Sequence, residues 1–282
     1  MKALYCAVAL CFVPQFAGAA VAPYFENFEG YAVGDTAVTN FTELSTSAWI
    51  IVSPSIVGKG YENGMSVTSP GVGVATGQNA SSAIAFPALA SSSFSMSTLF
   101  RIDSLTLTGS DPQNAATVGL FARSVDALPA STNADRYQVS YFLDDDGLGH
   151  ATGRLWLREQ NLFFGDSLNE LSVASLPIVF GDTYKMTLEG IQSGASVTLT
   201  ATLTNTASTS SISVSDTDGS NLVTGSNFGY FNHVRVLAGG TVGLNADFDN
   251  FSMAVPEPST VGFLLIACGT TVAGGASRWR RG

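Results

Sequence analysis

Cysteine and histidine are the scarcest reactive residues of this sequence. Its 282 residues include three cysteines and two histidines. The cysteines, Cys6, Cys11 and Cys268, all lie near the two ends. The long segment between them therefore has no disulfide framework and no thiol chemistry. Two histidines without a cysteine also provide too few ligands for catalytic zinc.

Charged residues are also scarce, and basic residues are the scarcer of the two kinds. Only 12% of the residues are charged, and 12 basic residues stand against 22 acidic ones, for a net charge of −10. Binding to nucleic acid requires clustered Lys and Arg that neutralise phosphates, so we expect no nucleic-acid partner. The composition also argues against intrinsic disorder, because 45% of the residues are hydrophobic.

The first twenty residues have the layout of a secretory signal peptide. Lys2 is followed by an unbroken apolar run over residues 3–13, then by Pro14 and the small residues 17–20. This order is typical of a signal that signal peptidase removes, which places the rest of the chain outside the cytoplasm. The alternative is a buried helix of the folded domain.

The last 28 residues have three unlike parts in a fixed order. A proline-rich motif over residues 255–260 precedes a predicted transmembrane segment over residues 261–277, and an arginine cluster follows over residues 278–281. The apolar run of sixteen residues reaches about 24 Å at about 1.5 Å per residue, slightly less than the hydrocarbon core of about 30 Å. The arginines place its end in the cytoplasm and the preceding residues outside the inner membrane.

This tail resembles the PEP-CTERM sorting signal. Pro256, Glu257 and Pro258 match its motif, and a second part of the match is the terminal cluster formed by Arg278, Arg280 and Arg281. The resemblance implies recognition by an exosortase, a transient stay in the inner membrane, and release to the cell surface or extracellular matrix of a Gram-negative bacterium. The alternative is an ordinary single-span anchor in which the motif occurs by chance.

Period-two alternation of apolar and polar residues dominates residues 21–254, where 8 basic and 21 acidic residues remain. Even positions are apolar over most of residues 93–102, and apolar residues alternate with threonine over residues 197–204. Such alternation predicts half-buried strands. Further strands are predicted at residues 49–53, 117–123, 137–143, 154–158, 184–188 and 228–237. Many strands with one apolar face need a second sheet to cover them, so we predict one all-β domain, an antiparallel two-sheet sandwich.

The order of these strands resembles the concanavalin A-like lectin/glucanase, or laminin-G-like, jelly roll. The segments that carry the resemblance are residues 25–31, 99–102, 118–123, 184–188 and 246–253. The resemblance implies that the first and last strands are neighbours. The Gly-, Ser- and Ala-rich residues 72–90 have an alternative interpretation as a long surface excursion.

The closing strand changes phase near its end. Apolar residues occupy even positions up to Phe248 and odd positions from Phe251, so the polar pair Asp249 and Asn250 marks a predicted β-bulge. If the first strand lies alongside, Glu26 joins Asp247, Asp249 and Asn250 as a set of hard oxygen ligands suited to Ca²⁺. Folds similar to this jelly roll often hold a structural calcium there. The alternative is a solvated polar edge that discourages strand pairing.

Two acidic stretches and one short motif have simpler explanations than catalysis. Residues 144–149 and 216–219 contain the turn formers Asp and Gly. We predict a hairpin connection at the first, between strands that end near Leu143 and begin near Arg154, and a turn at the second. Residues 165–168 spell the Gly-Asp-Ser-Leu block of an esterase family, but neither histidine has an aspartate three residues before it. A serine without a positioned base is inert, so we interpret the match as coincidence.

Carbohydrate binding needs less than catalysis, namely an exposed aromatic ring and a few hydrogen-bonding groups. The candidate aromatics are Trp49, Trp156, Tyr61, Tyr137, Tyr141, Tyr230 and Phe231. Trp156 is the best outward candidate because Leu155 and Leu157 occupy the opposite face of its strand. Arg154 and Arg158 share its face, so a charged solvent face is the alternative.

The carboxylate pattern of the retaining glucanases in the resembled family, Glu-x-Asp-x-x-Glu, is absent from the sequence. The leading hypothesis is therefore a non-enzymatic, exported surface or matrix protein that binds exopolysaccharide. A purely structural matrix protein with protein partners is the second hypothesis, and a divergent glycan hydrolase is the third.

Overall fold

The structure is a computed structural model that describes residues 24–28, 42–45, 49–51, 61–68, 76–108, 114–126, 135–145, 151–160, 171–173, 176–219, 221–236 and 240–254. These residues form antiparallel strands and one short 3-10 helix, Pro87–Leu89. The predicted all-β sandwich of two antiparallel sheets is confirmed.

Fifteen strands follow one another along the described chain. They are β1 (Tyr24–Glu26), β2 (Thr42–Ser45), β3 (Trp49–Ile51), β4 (Tyr61–Thr68), β5 (Thr76–Ala85), β6 (Phe94–Leu107), β7 (Ala115–Ser124), β8 (Arg136–Asp145), β9 (Ala151–Gln160), β10 (Leu171–Val173), β11 (Thr183–Ser193), β12 (Ser196–Asn205), β13 (Ser211–Asp218), β14 (Asn227–Val236) and β15 (Thr241–Ala254).

The strands form two sheets. The eight-stranded sheet has the order β13-β12-β11-β6-β15-β4-β3, with β1 paired to β15. The seven-stranded sheet has the order β10-β9-β8-β7-β14-β5-β2. Neighbours are often distant in sequence, as for β6 and β15, so the sandwich is closed by long-range pairing.

The alternation in the sequence sets which residues enter the core. Along β6, the even positions Phe94, Met96, Thr98, Phe100 and Ile102 are buried, while the odd positions between them are partly exposed. The same phase on β11, β12, β7, β8 and β9 places one apolar face of each sheet against the other. Burial of these faces provides the main stabilising free energy, because the described strands contain no cysteine that could crosslink them.

Threonine and serine occupy the outer face of β12 and β13. Their hydroxyls pair across the two strands at 3.0 Å, in the pairs Thr198–Thr217, Thr200–Ser215, Thr202–Ser213 and Thr204–Ser211. Threonine and serine fit these positions because a short or β-branched side chain packs well on the pleated surface. Hydroxyls directly opposite each other on two strands can then form hydrogen bonds. We call this row the hydroxyl ladder.

The first and last strands pair, as the resemblance implied, with Glu26 opposite Phe251. The predicted bulge in β15 is also confirmed. The register against β6 shifts between Asp249 and Ser252, and Asn250 has a left-handed φ of 51°. This extra residue is what moves the apolar residues of β15 from even to odd positions.

Two local predictions are wrong. Residues 216–218 belong to β13 rather than to a turn, because the buried Asp218 accepts a 2.6 Å hydrogen bond from the hydroxyl of Tyr137. The surface excursion is also wrong for much of residues 72–90, because Thr76–Ala85 is strand β5, which pairs with β14 over ten residues. The predicted hairpin between β8 and β9 is confirmed by their antiparallel register.

The predicted signal peptide (1–20), sorting motif, transmembrane segment and arginine cluster lie outside the described residues, as does the Gly-Asp-Ser-Leu block at 165–168. Within the described ranges, no helix has the length and apolar character needed to cross a membrane.

Candidate functional site

The outer face of the seven-stranded sheet carries the residues best suited to binding. Trp156 on β9 lies opposite Ser140 on β8, which lies opposite Gly119 on β7 and then Phe231 on β14. Residues that pair across neighbouring strands project to the same face, so this row lies on one surface. Trp156 faces outward as predicted, since Leu155 and Leu157 on either side of it are buried in the core.

An aromatic pair stands at one end of this row. The rings of Phe142 and Trp156 are stacked, with centroids 4.6 Å apart and planes 11° from parallel. The guanidinium carbon of Arg154 lies 5.3 Å from the centroid of Phe142 and 5.4 Å from that of Trp156. We call these three residues the aromatic platform. Cation–π attraction holds the arginine and the rings in one arrangement.

A hydrogen-bonded polar chain runs along β8 beside the platform. The Nε of Arg136 donates to Oε1 of Gln138 at 2.8 Å, and Nε2 of Gln138 donates to the hydroxyl of Ser140 at 2.7 Å. Arg158 lies opposite Gln138 in the register with β9. Burial of Arg136, and secondarily its proximity to Arg158, lower the pKa of the Arg136 guanidinium.

The strand β14 adds a histidine and another arginine to this face. His233 lies opposite Thr117 and Arg235 opposite Ala115, both on β7. Burial lowers the pKa of His233 to about 4, and repulsion from Arg235, Arg158 and Arg136 acts in the same direction. The imidazole is therefore neutral at neutral pH, and it lies within the electrostatic field of three arginines.

Two small residues, Ser140 and Gly119, lie between Trp156 of the platform and Phe231 on β14. A Cβ on Gly119 would overlap the ring of Phe231 and the carbonyl oxygen of Val139, so only glycine allows the observed packing. Phe231 packs with Phe121 and Ala83 as a separate small cluster on this outer face.

The four residues proposed as calcium ligands do not share one face. Glu26 pairs with Phe251, a core residue, and its Oε1 accepts a 2.8 Å hydrogen bond from the backbone of Phe28. Asp247 and Asp249 lie on the opposite face of β15, because Phe248 between them is buried in the core. The sheet therefore separates the glutamate from the two aspartates.

The aspartates have partners of their own. The carboxylate of Asp247 accepts from Arg101 at 3.1 Å. One oxygen of Asp249 accepts from the backbone of Asn250 at 2.7 Å, and its carbonyl accepts from Thr98 at 3.0 Å. Among the residues that the structure describes, no three His, Cys, Asp or Glu side chains are grouped to hold a metal. The described residues do not fit a calcium site, and calcium binding in solution stays a prediction.

Replacing Asp247 with asparagine should destabilise the protein. The Asp247 side chain is 0% exposed and Arg101 is 15% exposed, so the substitution leaves a largely buried guanidinium without its buried counter-charge. Arg101 retains Asp103 at 2.8 Å. We therefore expect a loss of about 2 kcal/mol in the free energy of unfolding, below the usual range for a broken buried pair. Urea unfolding measures it.

The matched control is Asp103→Asn, which removes the more exposed partner of Arg101. We expect a loss of no more than about 1 kcal/mol there, because exposed ion pairs contribute little. Equal losses for the two variants would contradict the assignment of Asp247 as the structural partner.

The other candidate aromatics are positioned for packing. Tyr137, Tyr141 and Tyr230 lie in the core, and Phe231 belongs to the cluster on the outer face. The side chains of Trp49 and Tyr61 lie outside the part described. Four residues of this face were not predicted from the sequence, namely Phe142, Arg136, His233 and Arg235. Their outward phase on β8 and β14 was the available signal, but it does not show which strands are neighbours.

Comparison with protein-family models gives no match, and comparison with curated proteins gives none. Solved structures similar to the chain include plant lectins. The acidic lectin of winged bean, complexed with methyl-α-D-galactose, has a TM-score of 0.47 and 10% identity, and the match covers 83% of this chain and 100% of the lectin. The seed lectin of Lotus tetragonolobus has a TM-score of 0.46 and 10% identity, with 84% of this chain and 100% of the lectin covered.

Proposed function

We propose that this chain is an exported, non-enzymatic surface or matrix protein that binds polysaccharide at the aromatic platform. The observation that carries the proposal is the stacked pair of Phe142 and Trp156 beside Arg154 on an outer sheet face. The proposal includes removal of the first twenty residues by signal peptidase and processing of the C-terminal tail by an exosortase. The sequence pattern of the two ends supports that part.

The platform suits a sugar ring for two physical reasons. One face of a pyranose is lined by C–H groups, which pack against the flat surface of an indole or phenyl ring. The neighbouring guanidinium groups of Arg154 and Arg158 are donors suited to hydroxyl oxygens. Because stacking already orients Arg154, little side-chain entropy remains to be lost when a ligand binds.

Replacing Trp156 with alanine should weaken polysaccharide binding about tenfold, the loss expected for one aromatic stacking contact of about 1–2 kcal/mol. Affinity electrophoresis of the full chain in mild detergent measures the change, with gels that contain a panel of neutral and acidic polysaccharides. The comparison uses whichever polysaccharide retards the wild-type protein most.

The matched control is Phe25→Ala, which removes an aromatic ring that is 61% exposed on β1 of the other sheet. We expect its mobility to match that of the wild type in every gel. Circular dichroism of both variants should retain the β-sheet spectrum. Failure of every polysaccharide to retard the wild-type chain would overturn the proposal and favour a structural protein with protein partners.

A further inference from the structure

The first and last described residues lie at the same end of the sandwich. Tyr24, where β1 begins, lies opposite Met253 of β15. Ala254, the last residue of β15, lies opposite Ser95, the second residue of β6. We call this the terminal end of the sandwich. The segment that leads to the predicted transmembrane run therefore leaves the sandwich at the terminal end.

Exposed apolar side chains are concentrated towards the terminal end. The large hydrophobic residues that are exposed in the described ranges are Phe25, Val125, Val179, Phe180 and Ile191. Ile191 directly follows Gly190, which lies opposite Phe94, the residue where β6 begins. Phe25 lies opposite Ser252, two residues before the end of β15.

Val125 belongs to the terminal end as well. It directly follows β7, and Arg123 near the end of that strand donates to the carbonyl oxygen of Ser92, two residues before β6. The same guanidinium donates to Gln192, beside the hairpin of β11 and β12. Val125 is 59% exposed and Ile191 is 47% exposed, so both present apolar surface to solvent.

The two remaining exposed residues, Val179 and Phe180, lie far from the terminal end. They directly precede Gly181, whose backbone donates to the carbonyl oxygen of Ile102. Ile102 is eight residues from Phe94 along β6, which is about 26 Å at about 3.3 Å per residue. The exposed apolar residues therefore form two separate groups, and the distant group provides a control for the other.

The connection from the terminal end to the predicted transmembrane segment is short. Residues 255–260 follow Ala254, and the predicted segment begins at residue 261. Six residues span at most about 20 Å, at roughly 3.3–3.6 Å each. A bilayer that holds the tail is therefore always close to the terminal end. Such a short tether gives the domain a high effective concentration at the membrane surface.

We infer that the terminal end docks on the lipid bilayer through Phe25, Val125 and Ile191 while the tail is inserted. This inference rests on the export and tail processing in the proposed function, and it adds a membrane-contacting surface to them. Apolar side chains that enter the boundary between headgroups and acyl chains are removed from water. Because the tether already brings the domain to the membrane, a small apolar surface is sufficient for contact.

The charge of the protein favours an apolar contact with zwitterionic lipid over electrostatic attraction. Residues 21–254 contain 8 basic and 21 acidic residues. Glu189 is exposed only two residues before Ile191. Anionic headgroups attract basic segments of a protein, and by the same rule they repel acidic ones. We therefore expect anionic lipid to weaken the contact at low salt.

The experiment measures lipid contact at two positions of the full chain in phosphatidylcholine nanodiscs. After the three native cysteines are replaced by alanine, Ser193→Cys or Ala207→Cys accepts a single fluorescent label. Ser193 is exposed at the terminal end, and Ala207 is exposed in the turn after β12 at the opposite end. We expect spin-labelled lipid to quench the label at Ser193 at least about threefold more strongly than at Ala207, because interfacial contact extends only about 5–10 Å.

Ile191→Asp and Val125→Asp test the residues, with the label at Ser193 as the readout. Each should reduce quenching by about half or more, because a charged side chain is costly to place among the acyl chains. Val179→Asp is the matched control, since Val179 is 48% exposed and distant from the terminal end, and we expect no change. Circular dichroism of each variant should retain the β-sheet spectrum.

The outcomes separate this inference from the proposed function. Equal quenching at Ser193 and Ala207 in nanodiscs that contain the chain would overturn the docking, while polysaccharide binding stands. An equal loss of quenching in Val179→Asp would overturn the assignment to the terminal end. Stronger quenching in anionic nanodiscs would overturn the apolar contact in favour of an electrostatic one. Failure of the chain to enter nanodiscs would overturn the docking together with the predicted transmembrane segment.

Discussion

Replacing Arg123 with methionine should lower the free energy of unfolding by about 3 kcal/mol or more. The side chain is fully buried and donates to the carbonyl oxygens of Leu89 and Ser92 and to Oε1 of Gln192, at 3.3, 2.7 and 2.9 Å. Its guanidinium also lies 5.5 Å from the ring centroid of Phe94. Hydrogen bonds from a buried charged group contribute about 1.5–3 kcal/mol each, and the relieved desolvation of the charge offsets part of that sum.

The effect is large because Arg123 connects both sheets. It comes from β7 of the seven-stranded sheet, and Gln192 belongs to β11 of the eight-stranded one. Methionine keeps similar bulk but leaves three acceptors, one of them fully buried, without this donor. Urea unfolding measures the loss, and Lys185→Met, at an exposed lysine, is the matched control. A loss of less than about 1 kcal/mol for Arg123→Met would contradict this account.

Gly153→Ala should destabilise the protein by about 3 kcal/mol, the upper end of the usual range for overpacking in a dense core. A Cβ at this position of β9 would overlap the buried ring and hydroxyl of Tyr141 on β8. That hydroxyl donates to the carbonyl of Leu176 at 2.7 Å, and the backbone of Leu176 donates to the carbonyl of Gly153 at 3.0 Å. The ring therefore cannot move without breaking a hydrogen bond.

The same substitution should also weaken polysaccharide binding. Phe142 follows Tyr141 directly, and Trp156 lies on the same strand as Gly153, so a shift between β8 and β9 disturbs the platform. The control is Gly219→Ala, since a Cβ on Gly219 meets no atom within 4 Å. We expect the free energy of unfolding of this variant to lie within about 1 kcal/mol of the wild-type value. Thermal unfolding and affinity electrophoresis of both variants test this account.

The strands and their buried faces were predictable because a half-buried strand repeats every two residues. The alternation over residues 93–102 and 197–204 predicted β6 and β12 with the correct phase. The change of phase in β15 likewise predicted the bulge at Asn250, since only an extra residue can shift the apolar positions from even to odd. The same argument placed Trp156 on an outer face.

The predictions that failed depend on pairing between strands that are distant in the sequence. The sequence around Asp218 is typical of a turn, yet the residue belongs to a strand and its carboxylate accepts a hydrogen bond from Tyr137, 81 residues earlier. The small residues of β5 resemble a loop, but β14 binds them along their whole length. His233 and Phe142 lie level with each other across β7 only because β8, β7 and β14 are adjacent, an order that periodicity does not reveal.

The aromatic platform and the positive charge of β14 have different origins in the chain. Phe142, Arg154 and Trp156 all belong to the single hairpin of β8 and β9, whereas Arg235 arrives from β14. Substitutions on β14 can therefore change the charge of this sheet face without replacing any residue of the aromatic platform.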